Sequence, residues 1–149
     1  MQNVFLKSGR GIGGIAEGEA LVTKTPLNLM QDINVWDNPN NIAFTNKFLL
    51  PELYGQSLVD KVLVFPTNAG GIFSTNVLMV LASKGLKPKA IVNTRTHEVW
   101  VAVALLLGIP IVDQFDRDPT EVIETGDWVK VDAGTGTVEV TKMKRKGRK

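Results

Sequence analysis

The chain has 149 residues, 44% of them hydrophobic and 21% charged, with a formal net charge of +2. That is the length of one domain with one sizeable core, and the composition of an ordinary globular protein. There is no cysteine, which excludes disulfides, zinc–thiolate sites and any iron–sulfur cluster ligated by this chain alone.

The opening run GRGIGG, Gly9 to Gly14, satisfies G-x-G-x-x-G letter for letter. A dinucleotide site needs a strand before those glycines and a helix after them. Val4 to Lys7 is a short candidate strand. The following IAEGEALVTKTP has no 3.6-residue apolar stripe and meets Pro26 where a helix should still be running. Without that helix no dipole holds a pyrophosphate. The glycines therefore read as a bulge or a turn between two strands. Glu17 and Glu19 beside them face water or belong to a polar site.

From Asn28 to Tyr54 the pattern is irregular, with the turn cluster WDNPNN near its centre. Trp36 and Phe44 either pin this long loop to the body or line a cleft. Order returns at Lys61. KVLVFP is a continuous apolar run ended by proline, which predicts a buried strand. TNAGG follows, and then IFSTNVLMVLASKG, where Phe73, Val77, Val80 and Leu81 recur at helical spacing and Gly85 is a plausible stop. Strand, glycine loop and helix start together form a setting in which bare amides and the dipole hold a carboxylate or phosphate. Ser74 and Thr75 either add hydroxyls to that setting or cap the helix.

KAIVN predicts the next strand, Thr96 a helix N-cap, EVWVAVALLL an apolar helix with Trp100 in the core, and IVD a further strand after the GIP turn. Strand–helix–strand alternation predicts parallel strands joined by crossovers. In GDWVKVDAGTGTVEV, Val129, Val131, Val138 and Val140 alternate with polar residues about AGTG, which predicts a hairpin. The fold class is α/β: a mixed sheet or barrel-like β core with two crossover helices and a C-terminal hairpin. Lys142, Lys144, Arg145, Lys146, Arg148 and Lys149 crowd the end and leave a mildly acidic body. With no aromatic residues among them, the tail 141–149 reads as a basic, flexible terminus and not as a nucleic-acid site. The longest apolar run, Val99 to Leu107, is far short of the about 20 residues a bilayer span needs. No signal-peptide pattern opens the chain, so a cytoplasmic protein without membrane contact is expected.

GRGIGGIAEGEALVTKTPL, KVLVFP with its glycine loop, GLKPKAIVN, GIPIVD and GDWVKVDAGTGTVEV stand in this order. Together they resemble the swivel domain of aconitase X proteins, which also occurs as the small subunit of phosphomevalonate dehydratase. The resemblance covers residues 1–140. It implies a swivelling β/β/α domain and a hydro-lyase heterodimer acting on small hydroxy acids such as phosphomevalonate or cis-3-hydroxyproline. It also implies that this chain binds no cofactor and that a larger aconitase X-type subunit carries the iron or iron–sulfur centre.

Water loss from a hydroxy acid needs a Lewis acid on the departing hydroxyl and a base for the neighbouring proton. In the family a serine oxyanion on the swivel domain is taken as that base, and amide donors from a glycine loop make its ionisation feasible. The family loop reads P-x-G-R-G-S, the last residue being that serine. Here the run is Pro66-Thr67-Asn68-Ala69-Gly70-Gly71, so Gly71 stands at the serine position and Ala69 at the arginine position. The missing arginine argues against phosphomevalonate. The hydroxyl is then supplied by Ser74, by Thr75 or by Thr67, with Asn68, Gly70 and Gly71 binding substrate, or the domain is not the base provider. Two alternatives are a non-catalytic binding relic of the fold and a phosphohistidine-type swivelling carrier. The carrier reading rests on Thr96-His97 ahead of GIP; the spacing to Gly108 is about two residues too long for that motif.

Overall fold

The computed structural model describes residues 3–33, 43–69 and 71–143. Seven strands close into a barrel in the order β1-β5-β4-β3-β2-β6-β7. The strands are β1 (Asn3–Ile12), β2 (Ile15–Val22), β3 (Val62–Phe65), β4 (Ala90–Asn93), β5 (Ile111–Phe115), β6 (Trp128–Asp132) and β7 (Thr137–Thr141), interleaved with helices α1 (Leu29–Asp32), α2 (Gly71–Ser83), α3 (Glu98–Leu107) and α4 (Pro119–Val122). The β2–β3, β3–β4 and β4–β5 pairings are parallel, and every other pairing in the barrel is antiparallel. The parallel wall comes from the α2 and α3 crossovers, and the antiparallel wall from β1, β2 and the β6–β7 hairpin.

The alternation of side chains along each strand produces two cores. Val62 and Val64 of β3, Val92 of β4, Val129 and Val131 of β6, and Val138 and Val140 of β7 point into the barrel, together with Ala20 and Ala90. Small branched residues suit that interior, because a barrel of this size is filled by side chains and leaves no channel. Leu21, Leu63, Phe65 and Ile91 point the other way, against Val77, Leu78 and Leu81 of α2 and Trp100 and Ala104 of α3. Burial on both faces explains why the β3 segment is continuously apolar, whereas β6 and β7, solvated outside, alternate. Phe65 and Trp100 meet edge-on with ring centroids 6.1 Å apart.

GRGIGG is a strand end and a turn. β1 runs through Ile12, longer than the short Val4–Lys7 segment expected, and Gly13 (φ 108°) turns the chain into β2. The two strands then part: β1 pairs with β5 and β7, and β2 with β3 and β6. Gly11 is required by proximity, since a Cβ there would lie 2.2 Å from the Ala133 carbonyl oxygen. Glu17 and Glu19 face solvent; Glu17 accepts from the Trp128 indole at 2.7 Å. Phe44 is fully buried and pins its loop to the outer core. Trp36 lies outside the described residues.

α3 begins one residue later than expected. His97, and not Thr96, is the N-cap, and Gly108 (φ 72°) ends the helix in the left-handed conformation with its N–H on the Ala104 and Leu105 carbonyls. The C-terminal end is also more ordered than a tail from residue 141 implies. Thr141 belongs to β7, and Lys142 is held by Asp127 Oδ2 at 2.6 Å and the Val122 carbonyl at 2.9 Å. The remaining basic residues from Lys144 onward lie outside the described residues. Among the described residues no helix is long and apolar enough to cross a membrane.

Candidate functional site

β3, β4 and β5 run in one direction, so the loops following β3 and β4 emerge at the same end of the barrel as the carboxyl end of β5. In parallel sheets that is where ligands bind. The loops there are laced to one another by hydrogen bonds. Leu27 pairs with the β3–α2 loop, its N–H donating to Thr67 O (3.2 Å) and its carbonyl accepting from Ala69 N (2.8 Å). Arg95 N donates to Pro66 O (2.9 Å) and Gln114 N to Thr94 O (3.1 Å). Asn93, fully buried, donates through Nδ2 to Phe65 O (3.0 Å) and accepts from Thr96 Oγ1 (3.0 Å).

Beneath this lacing lies an ion pair. Arg10 grips Asp113 with two parallel bonds, Nε to Oδ1 at 2.9 Å and Nη2 to Oδ2 at 2.7 Å. Asp113 also accepts from Thr96 N (2.8 Å), and Arg10 Nη2 reaches Thr96 O (3.3 Å). The Asp113 side chain is 2% exposed and that of Arg10 33%. Hydrogen bonding to Asp113, then the attraction of Asp113 and Glu98, pushes the Arg10 guanidinium above its ordinary pKa, against the lowering effect of burial. The cation is permanent.

Above the pair opens a pocket of about 410 Å³ lined by Arg10, Arg95, Thr96, His97, Glu98 and Gln114. Gln114 has φ 62°, a left-handed backbone that a non-glycine residue adopts at a cost of roughly 1 kcal/mol or more. Its N–H is spent on Thr94 O, leaving its side chain on the pocket wall. His97 caps α3: its Nδ1 accepts from Val99 N at 3.2 Å, so the neutral imidazole carries its proton on Nε2. Arg95 is exposed, and its side chain makes no hydrogen bond or ion pair among the described residues.

Below the pocket, Asn68 is 7% exposed and its Oδ1 accepts from His97 N at 3.1 Å. Its Nδ2 is buried without a partner, a situation that costs about 1–3 kcal/mol unless something supplies an acceptor.

The aconitase X swivel domain family model matches residues 6–140. The chain belongs to the aconitase X swivel domain family. It is 34% identical over 137 residues to the phosphomevalonate dehydratase small subunit of Methanosarcina acetivorans, covering 91% of each chain. It is 38% identical over 133 residues to that of Methanocaldococcus jannaschii, covering 89% of this chain and 95% of the relative. The crystal structure of Thermococcus kodakaraensis aconitase X in its holo-form superimposes with a TM-score of 0.80 at 31% identity, covering 93% of this chain and 99% of the other. The barrel-like α/β core expected from the sequence is thus that of an aconitase X swivel domain. The family is not that of the phosphohistidine carriers, and His97 serves here as a helix cap.

In this swivel domain the residues singled out from the sequence are placed as follows. Ser74 is fully buried and its Oγ accepts from Leu29 N at 2.8 Å, fastening α1 to α2. Thr75 is 1% exposed. Thr67 is half-buried, and its carbonyl is the partner of Leu27. Asn68 adjoins the pocket. Gly71 opens α2. Gly70, the centre of the expected amide cradle, lies outside the described residues. The cradle is in any case narrower than expected, because the Ala69 N–H is consumed by Leu27, which pairs with the loop as an extra strand would.

Arg10, Asp113, Arg95 and Gln114 were missed in the sequence. Arg95 and His97 directly follow a predicted strand, and strand-end position is the signal that finds them. Arg10 lies inside the glycine run GRGIGG, and its pairing with Asp113, 103 residues away, leaves no local trace. The pocket's donors are guanidinium, imidazole N–H and amides, with no thiolate. Among the described residues no three of His, Cys, Asp and Glu gather to hold a metal ion. This donor set does not fit an iron centre; it fits anionic oxygen.

Proposed function

We propose that this chain is the swivel subunit of a hydro-lyase that dehydrates a small hydroxy acid, working with a larger aconitase X-type subunit that carries the iron or iron–sulfur centre. The observation that carries the reading is the family match over residues 6–140, joined to relatives that are small subunits of a dehydratase over nearly their whole lengths. The chain's share of the active site is the end of the barrel where β3, β4 and β5 finish. The centre that activates the departing hydroxyl supplies Lewis acidity, and no residue here is asked to ligate it.

This chain's residues bind and orient. The Arg10–Asp113 pair fixes Thr96 and, through it, the first turn of α3. Arg95 and His97 Nε2–H then face the substrate as donors. Ala69 at the family's arginine position removes a phosphate ligand from the loop, which favours an unphosphorylated substrate. Gly71 at the serine position, with Ser74 and Thr75 buried, leaves Thr67 as the loop hydroxyl that reaches solvent. Thr67 is therefore the group proposed to handle the substrate proton, with Ser74 and Thr75 buried in α2 and Asn68, Gly70 and Gly71 as the proposed substrate-binding residues.

The burial of Ser74 and the loss of the Ala69 amide favour a second reading, a swivel domain that docks and binds without taking a proton. Tagged chain isolated from its native host tests both. The hydro-lyase reading expects a stoichiometric, iron-containing partner several times heavier than this chain and turnover that falls in Thr67→Val. The binding reading expects the partner with turnover untouched by Thr67→Val. A chain that emerges alone and iron-free contradicts the hydro-lyase assignment.

A further inference from the structure

We infer that the pocket between Arg95 and His97 is a carboxylate-binding subsite, selective for a planar monoanion over a phosphate. The inference rests on the proposed reading of this end of the barrel as the substrate side, and adds to it the chemical group recognised and the residues that recognise it.

Charge around the pocket sets the selectivity. Arg10 is neutralised by Asp113 in a bidentate pair. Arg95 is an uncommitted guanidinium at the rim, and Glu98 stands beside it, exposed, on the first turn of α3. Arg10, Arg95 and Glu98 thus line the pocket together with the His97 imidazole, and Asp113 balances Arg10 from beneath. A carboxylate adds one negative charge to a balanced set and can take the planar guanidinium fork of Arg95 edge to edge. A phosphate dianion adds two, next to Glu98 and Asp113, and finds no second free guanidinium.

The hydrogen-bond donors agree. Because His97 Nδ1 is occupied by Val99 N–H, the neutral ring presents Nε2–H to the pocket as a donor and cannot present a base there. Asn68 Nδ2, nine-tenths buried and without an acceptor, sits on the side chain that caps the His97 amide. The guanidinium and the imidazole N–H are donors in search of oxygen, and the orphaned Asn68 amide lies just behind the His97 backbone. Gln114, held in a left-handed conformation and also lining the pocket, brings an amide that can accept from the hydroxyl next to a carboxylate.

The test is a titration of the full-length, isotope-labelled chain by nuclear magnetic resonance at constant ionic strength. The probes are glycolate, glycolamide, inorganic phosphate and chloride. The expected result is saturable shifts at the Arg95 Nε, His97 ring and Asn68 side-chain signals with glycolate, in the millimolar range typical of a small ligand on a half-site. Glycolamide and chloride leave those signals unmoved, and phosphate binds more weakly than glycolate. Arg95→Gln weakens glycolate by about tenfold or more, and His97→Asn, which keeps a helix cap, also weakens it. Absence of saturable shifts, phosphate binding as tightly as glycolate, or Arg95→Gln without effect overturns the inference. A chain that binds glycolate yet purifies without a partner keeps this subsite and loses the hydro-lyase reading. A chain that purifies with an iron-containing partner yet ignores glycolate does the reverse.

Discussion

Arg10 and Asp113 face each other across β1 and β5 and close two parallel hydrogen bonds, 2.9 and 2.7 Å long, under the floor of the pocket. Asp113 sits at the register position opposite Arg10, so barrel closure itself brings the pair together. The carboxylate also takes the Thr96 N–H, which ties the turn ahead of α3 to the barrel wall. A device that stabilises the fold here also aims the candidate site.

Removing the cation leaves Asp113 buried and unpaired. Arg10→Gln is expected to lower stability by about 3 kcal/mol, in line with breaking other buried pairs. The paired change Arg10→Met with Asp113→Leu is expected to cost less than Arg10→Gln alone, because no isolated charge remains. Denaturant melts of the three proteins check this.

The pH dependence of that loss follows from the sign of the shift. Arg10 has its pKa raised by Asp113, so its contribution is present below the unfolded arginine value and fades as pH rises through the folded one. Both lie far above neutral pH. The stability gap between wild type and Arg10→Gln should therefore stay constant from about pH 6 to about pH 9. A gap that shrinks as pH rises across that window contradicts the assignment.

Gly11→Ala places a methyl 2.2 Å from the Ala133 carbonyl oxygen. Backbone cannot yield there without opening the contact between β1 and the β6–β7 turn. A loss of roughly 2–4 kcal/mol is expected, read as a fall in Tm of several degrees. Gly14→Ala is the control, since nothing lies within 4 Å of its Cβ position.

Ser74→Ala separates structure from chemistry. It strands the Leu29 N–H in the core, and about 1–3 kcal/mol of stability should go with it. Under the present account turnover per folded molecule changes little in Ser74→Ala and falls in Thr67→Val. Activity measured alongside the folded fraction decides.

Much of this was legible in the sequence. KVLVF, KAIVN and IVD announced the parallel wall because burial on both faces leaves unbroken apolar runs. The β6–β7 hairpin was visible in the alternation of Val129, Val131, Val138 and Val140. The pattern left a mixed sheet and a barrel-like core both open, since β1 pairs with segments about 100 residues or more away and each half of its pattern looks like an ordinary strand. The glycines after KVLVFP point to the β3–α2 loop, but Ser74 looks available there because a hydroxyl near a helix start gives no sign of which way it faces. Its partner, Leu29 N–H, belongs to a stretch whose own pattern is irregular.

The central claim is that a partner subunit closes the end of the barrel where Thr67–Ala69 and Thr94–Glu98 meet. Hydrogen–deuterium exchange of the chain, alone and in the complex isolated from its host, tests it directly. Added protection should concentrate in 66–69 and 94–98. Protection that falls instead on the opposite pocket, lined by Gly14, Lys87, Gly108 and Pro110, would contradict the account.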